Sequence, residues 1–253
     1  QSTLRWYIVV AMGRKAGHLA LGIGKSAGAT LTLIPESWHG EKTRHQQVSD
    51  IIATSVIKRL ANGQSYGVAI IAEGVMELMD HQDLTFLETV ERDEHGHPRM
   101  AEINSAAILK REVRSILQEL GIKMTLVDKE VGYELRCADP CAFDIDYTRT
   151  LGQAAVDFFN EGGTNALVTV QQNKVVPIPY DDLMDPDTGR TGVRMVNTFS
   201  LTYESAQRFM IRLTRQDLED EDQLEKLAAC TNLDPQAFVK RFGYLVDLGP
   251  SPY

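Results

Sequence analysis

The sequence predicts an α/β protein with a doubly wound, largely parallel sheet and a helical C-terminal tail. Three observations predict it. Short apolar runs rich in β-branched residues recur along the first half of the chain, the composition of strands buried on both faces. Segments with apolar residues at helical spacing separate these runs. Two of the runs, WYIVVA at 6–11 and YGVAIIA at 66–72, give way to glycine beside a charged residue, Gly13-Arg14 and Glu73-Gly74. Strands alternating with helices imply parallel βαβ units. Polar residues delivered at the carboxyl edge of such a sheet line ligand crevices.

Each element follows from local chemistry. The strand at 6–11 stops at Met12-Gly13-Arg14, and 16–27 reads as a helix. Gly13 lets the backbone approach a ligand, and Arg14 offers a planar fork suited to phosphate or carboxylate. An arginine at a sheet edge can equally pair with a neighbouring acid, and both readings stand at this point. Residues 29–35 form a second short strand ended by Pro35. A polar loop is expected at 37–42, then an amphipathic helix at 43–60 closed by Asn62-Gly63. The strand at 66–72 is the third. Residues 92–99 read as a charged surface turn rather than a metal site, with His95 and His97 flanking Gly96. A helix is predicted at 105–120, with Ser105 as its N-cap and Gly121 just past its end. A fourth strand follows at 123–127 and a helix at 144–161, ended by Gly162-Gly163. Two strands, 166–170 and 174–178, flank Gln171-Gln172-Asn173, and a loop rich in Pro, Gly and Asp spans 181–192. From Tyr203 the chain reads helical, acidic at 217–222 and basic at Lys240-Arg241.

Composition narrows the function. The chain has 253 residues, 43% apolar and 24% charged, ordinary globular values with room for one or two domains. No apolar run reaches the roughly 18 residues of a membrane span. A net charge of −9 disfavours nucleic acid and anionic membranes as partners. The three cysteines, Cys137, Cys141 and Cys230, suggest no disulfide framework and fit a reducing, cytoplasmic location. Cys137 and Cys141 lack the second ligand pair of a zinc site. Gly24-Lys25-Ser26 has the tail of a phosphate-binding loop, but the glycine required five places earlier is Leu19, and the segment follows a helix. Gly22-Ile23-Gly24 is no dinucleotide fingerprint either, since the third glycine, Gly28, falls one place late.

Several segments together carry a family resemblance. Arg5, Met12-Gly13-Arg14, Ala16-Gly17-His18-Leu19-Ala20, Leu33-Ile34-Pro35-Glu36, Ala72-Glu73-Gly74 and Gly132-Tyr133-Glu134-Leu135-Arg136 resemble the phosphofructokinase family, in its order and with its gaps, from about residue 5 to 179. The pyrophosphate-dependent branch is the most similar. The resemblance implies a Rossmann-like phosphofructokinase fold, with residues 1–137 as the fructose 6-phosphate-binding domain, 138–200 as part of a donor-binding domain and 201–253 as a helical tail. It implies a glycolytic phosphotransferase moving a phosphoryl group from pyrophosphate to O1 of fructose 6-phosphate. An ATP-dependent enzyme and a non-catalytic sugar-phosphate-binding subunit are the alternatives; a dinucleotide-dependent oxidoreductase is disfavoured for want of the fingerprint. Arg14, with Met12 and Gly13, would line the sugar pocket and act on the transferred phosphoryl group. Arg136 and Tyr133 would hold the 6-phosphate, Glu73 would accept from sugar hydroxyls, and Arg5 would reach a neighbouring subunit's substrate, which implies at least a homodimer. Where many relatives carry a second cross-subunit arginine, this sequence has Val127, with Lys129 the nearest cation. The family's donor loop and its Thr-x-Asp-x-Asp segment normally precede the position of Arg5. The resemblance therefore places the Mg²⁺ ligands and catalytic base upstream of this chain, and implies that the chain alone does not turn over.

Overall fold

In the computed structural model, residues 4–79, 104–186 and 189–248 are described; the charged turn expected at 92–99 lies outside them. The chain divides into two compact units, Gln1–Gly132 with Met195–Tyr253, and Tyr133–Arg194. In the first, strands β1 (Arg5–Ala11), β2 (Leu31–Leu33), β3 (Gly67–Ala72) and β4 (Thr125–Val131) form a sheet in the order β2-β3-β1-β4. Every pairing is parallel, with Val9 opposite Ile70 on one side and Lys129 on the other. Helices α1 (His18–Ala27), α2 (His45–Ala61), α3 (Glu73–Leu78) and α4 (Ser105–Glu119) make the connections. The crossover from β1 to β2 runs one way along the sheet and the later ones run back. Right-handed connections therefore put α1 on one face and α2 with α4 on the other, and α2 does pack against α4. Trp6, Ile8, Leu31, Leu33 and Ile71 are fully buried between these layers.

The second unit begins with α5 (Tyr133–Cys137) and α6 (Ala142–Asn160), followed by β5 (Ala166–Gln171), β6 (Lys174–Pro179) and α7 (Tyr180–Leu183). β5 and β6 pair as an antiparallel hairpin, with Gln171 opposite Lys174. The two residues between them, Gln172 and Asn173, both have positive φ, 50° and 61°, the backbone of a hairpin turn that matches strand twist. The segment at 181–192 is more ordered than the loop expected of it: α7 opens it, and Met184 bridges Thr191.

The chain then returns to the first unit through α8 (Leu201–Phe209), α9 (Arg215–Glu219), α10 (Glu221–Ala229) and α11 (Pro235–Phe242). α8 packs on α1 and α10 on α2, so these helices extend the layers on both faces. Tyr203, Leu227, Phe238 and Phe242 are buried anchors. The Asp50 carboxylate on α2, fully buried, accepts from Arg241 at 2.6 and 2.8 Å and from Tyr244 at 2.6 Å. Part of the acidic stretch has a defined task here: Asp217 caps α9 at Thr214 and takes Lys58 Nζ at 2.6 Å.

Three further local expectations change. Residues Pro35–Trp38 form a 3₁₀ turn instead of opening a polar loop, and Glu36, Ser37 and Trp38 are buried. The N-cap of α4 is Asn104, whose side chain accepts from Ala107 N–H at 2.8 Å, and Ser105 is the first helical residue. β4 continues to Val131, because its polar half lies on an edge strand where Lys110 pairs with Asp128 and the other residues reach solvent.

Candidate functional site

Met12, Gly13, Arg14 and Glu73 meet at the carboxyl edge of the sheet. β1 ends at Ala11, and Met12 N–H donates to Val131 O of β4 at 2.9 Å. The chain then reverses sharply: Gly13 has φ 150° and Arg14 φ 51°. A non-glycine residue in the left-handed region costs on the order of 1 kcal/mol and persists only where neighbours hold it. Glu73, the first residue of α3, is one such neighbour. Its Oε2 accepts from both Gly13 N–H and Arg14 N–H, each at 3.1 Å. Gly74 gives way on the other side, since a Cβ there would lie 2.3 Å from the Arg14 carbonyl oxygen. Glu36 holds the far end of the turn, accepting from Gly17 N–H at 3.0 and 3.2 Å.

The Arg14 guanidinium is exposed and pairs with no acid among the described residues. The nearest plausible partner, Glu73, binds the backbone of the turn instead. The turn thus presents a free planar cation, with Lys15 also exposed beside it, next to the N-terminus of α1. Such an edge attracts anions, and a phosphate above all. Glu73 keeps its second oxygen, Oε1, without a hydrogen bond among the described residues.

The remaining predicted residues are carried by other elements. Arg5 opens β1, at the opposite end of a seven-residue strand from the turn. At about 3.3 Å per residue that separation is roughly 20 Å, so Arg5 and Arg14 do not share a pocket within one chain. Arg5 lines a groove of about 410 Å³ with Tyr7, Arg59, Tyr66 and Phe209. Arg59 stacks over the Tyr66 ring there, 4.8 Å from its centroid. Tyr133 and Arg136 belong to α5, in the second unit, where Tyr133 is exposed. Val127 sits mid-strand in β4, opposite Tyr7, and Lys129, two residues on, is exposed.

Comparison with known proteins decides the family. The family model described as phosphofructokinase matches residues 1–159, more than half of the sequence. The chain belongs to the phosphofructokinase family. Within the family, it is 44% identical to a Naegleria fowleri protein named pyrophosphate–fructose 6-phosphate 1-phosphotransferase, over 96% of this chain and 57% of that protein. A Thermotoga maritima protein of the same name is also 44% identical, over 98% of this chain and 60% of that one. The chain therefore spans about 57–60% of the length of these relatives. Among solved structures, phosphofructokinase from Saccharomyces cerevisiae superposes with a TM-score of 0.51 at 18% identity, covering 95% of this chain and 25% of that one. That likeness concerns the fold alone, and it agrees with the parallel α/β sheet and helical C-terminal region.

Sequence reasoning gave no role to Glu36 or Lys15. A signal for Glu36 was present: Ile34-Pro35-Glu36 is a third strand end that delivers an acid to the same edge as Arg14 and Glu73.

Proposed function

We propose that this chain supplies the sugar-phosphate half of an enzyme that moves a phosphoryl group from pyrophosphate to O1 of fructose 6-phosphate. The observation that carries the reading is 44% identity, across nearly the whole chain, to relatives named for that reaction. The geometry supports it through the free Arg14 guanidinium on a turn held from beneath.

In this reading, residues 1–137 bind the sugar phosphate and 138–200 form part of the donor-binding domain. Arg14 faces the transferred phosphoryl group and offsets the charge that develops there; a cation already fixed in place needs no reorganisation at the moment of reaction. The anchored backbone fixes the point from which the side chain extends. Met12 and Gly13 line the same pocket. Glu73 uses its unengaged Oε1 to accept from a sugar hydroxyl, while Oε2 holds the turn. Arg136 and Tyr133 hold the 6-phosphate. Arg5, at the opposite end of β1 from the turn, serves the substrate of a second copy, so the working assembly is at least a dimer. The proposed setting is the cytoplasm. Among the described residues no three His, Cys, Asp or Glu side chains gather as metal ligands, and Glu36 and Glu73 face backbone N–H groups. In this reading Mg²⁺ would neutralise the charge of the phosphoryl donor.

Isothermal titration with fructose 6-phosphate tests the reading directly. Saturable binding to the chain, strongly weakened in Arg136→Ala and largely kept in Arg14→Ala, is the expected result. A coupled assay of the chain with pyrophosphate, and separately with ATP, should show no turnover. Absence of sugar-phosphate binding overturns the proposal.

A further inference from the structure

Three acids are buried among the described residues, Glu36, Asp50 and Asp217, and the proposed reaction uses none of them; of the three, Glu36 lies beside the site turn. Glu36 is 8% exposed, in the 3₁₀ turn that follows β2. Its Oε1 accepts from Gly17 N–H at 3.0 Å and from Val196 N–H at 2.8 Å, and its Oε2 accepts again from Gly17 at 3.2 Å. These two donors come from distant parts of the sequence. Gly17 closes the turn that carries Arg14 and opens α1 without a side-chain cap of its own. Val196 is buried, two residues after the point where the second unit ends. One carboxylate therefore holds both the site turn and the segment by which the chain re-enters the first unit.

The surroundings keep this joint tight. A Cβ on Gly17 would fall 2.3 Å from Ile34 Cβ and 2.8 Å from Glu36 Oε2, so only glycine admits the carboxylate so close to the backbone. Ser37 Oγ and Tyr203 Oη lie 2.8 Å apart, which ties the next residue of the 3₁₀ turn to α8, seven residues after Val196. A buried carboxylate is costly unless hydrogen-bonded, and a buried N–H left without an acceptor is costly too. The three groups accordingly favour moving together over parting.

We infer that Glu36 is a positioning residue that couples the Arg14 turn to the re-entry segment at Val196. A ligand that orders the turn therefore orders Val196, and a shift of the re-entry segment is felt at Arg14. The inference rests on the proposed function only in naming fructose 6-phosphate as that ligand; the coupling itself follows from the hydrogen bonds.

Amide hydrogen exchange of the chain, read residue by residue by NMR, tests it. Glu36→Gln keeps the shape but replaces one oxygen with an NH₂ group, which faces a donor. Exchange at Gly17 and Val196 should accelerate about tenfold or more. Exchange at Ala107, held by Asn104, and at Ile211, held by Thr30 O at 2.8 Å, should not change. Coupling is read with Glu73→Gln, which loosens the turn from its other end. That variant should speed exchange at Val196 several-fold when Glu36 is present and add nothing in the Glu36→Gln background. No effect of Glu73→Gln at Val196 overturns the inference. That measurement needs no Glu36 variant, so it decides the matter even where Glu36→Gln fails to fold. Added fructose 6-phosphate should slow exchange at Val196 in the wild-type chain and leave it unchanged in Glu36→Gln. A wild-type chain that binds no fructose 6-phosphate sinks the proposed function, while the Glu73→Gln result still decides Glu36.

Discussion

The two units bury their apolar residues to very different depths. In the first, the parallel sheet has helices on both faces, and Trp6, Ile8, Leu31, Ile52, Ile71, Phe238 and Phe242 are sealed from solvent. In the second, Ala154 is the one buried residue among those described. α6 carries Phe143, Ile145, Tyr147, Val156 and Phe159 at the surface, and Leu167 and Val175 of the hairpin are exposed with them. A two-stranded hairpin with one long helix and two short ones gives little cover, and such a unit is marginal by itself. The first unit can hold side chains in fixed geometry, as Glu36 and Glu73 do for the Arg14 turn. The second offers α5, with Tyr133 and Arg136, on a scaffold with little core of its own.

The largest expected effect comes from breaking the joint that makes the first unit deep. Asp50 is fully buried and its carboxylate depends on Arg241 and Tyr244. Burial and the Asp50 carboxylate both push the Tyr244 hydroxyl above its ordinary pKa, so tyrosine stays a neutral donor there. Arg241→Met leaves an uncompensated carboxylate and should cost about 3–5 kcal/mol. Urea unfolding followed by Trp fluorescence measures this, since both tryptophans, Trp6 and Trp38, lie in the first unit. A loss below about 1 kcal/mol would mean that the closing helices are not integral to this unit.

One arginine on each unit sharpens the comparison further. Arg14 is exposed, so Arg14→Ala should leave stability within about 0.5 kcal/mol. In the complete enzyme the same change should lower kcat about 10²–10³-fold, as loss of a group that acts on developing charge does. Arg136→Ala should instead chiefly raise the KM for fructose 6-phosphate, as loss of a contact made equally in ground and transition states does. Steady-state kinetics with the opposite partition would reverse the roles proposed for the two units.

Gly74→Ala tests the edge without touching a charge. The added Cβ would meet the Arg14 carbonyl oxygen at 2.3 Å, and the crowding should cost about 1–3 kcal/mol. Fructose 6-phosphate affinity should fall with it, because the turn has to shift. Unchanged affinity at reduced stability would show that the backbone of the turn does not set the guanidinium's position.

How much of this was legible in the sequence depends on where each residue's partner lies. β1 and β3 could be read because strands buried on both faces are apolar throughout. The hairpin was legible for a local reason, its Gln172-Asn173 turn. The 3₁₀ turn at Pro35–Trp38 was not, because Glu36 and Ser37 look like loop residues until Gly17, Val196 and Tyr203 are placed around them. Asp217 likewise reads as part of an acidic surface run, yet it pairs with Lys58, 159 positions away. The Arg14–Glu73 edge fell between these cases: two strand ends of the same type suggested a shared crevice, but nothing local said that Glu73 would hold the turn's backbone. A polar residue whose partners are remote carries no periodic signal.

The smallest expected effect lies at β4, the last strand before the chain enters the second unit. Hydrogen bonding from Lys110 is the first cause holding the Asp128 carboxyl below its ordinary pKa of 3.8. A carboxyl depressed in the folded state binds its proton less readily there than in the unfolded chain. It therefore adds stability that is fully present above the ordinary value and is lost as pH falls through the depressed one. Both side chains are about a quarter exposed, 25% and 26%, so solvent screening should hold the contribution to roughly 1 kcal/mol or less. Asp128→Asn should accordingly cost up to about 1 kcal/mol at pH 7, and the gap to wild type should close progressively below pH 4 in urea unfolding curves. A gap that persists at the acid end would mean that Asp128 acts through packing of the edge strand and not through its charge.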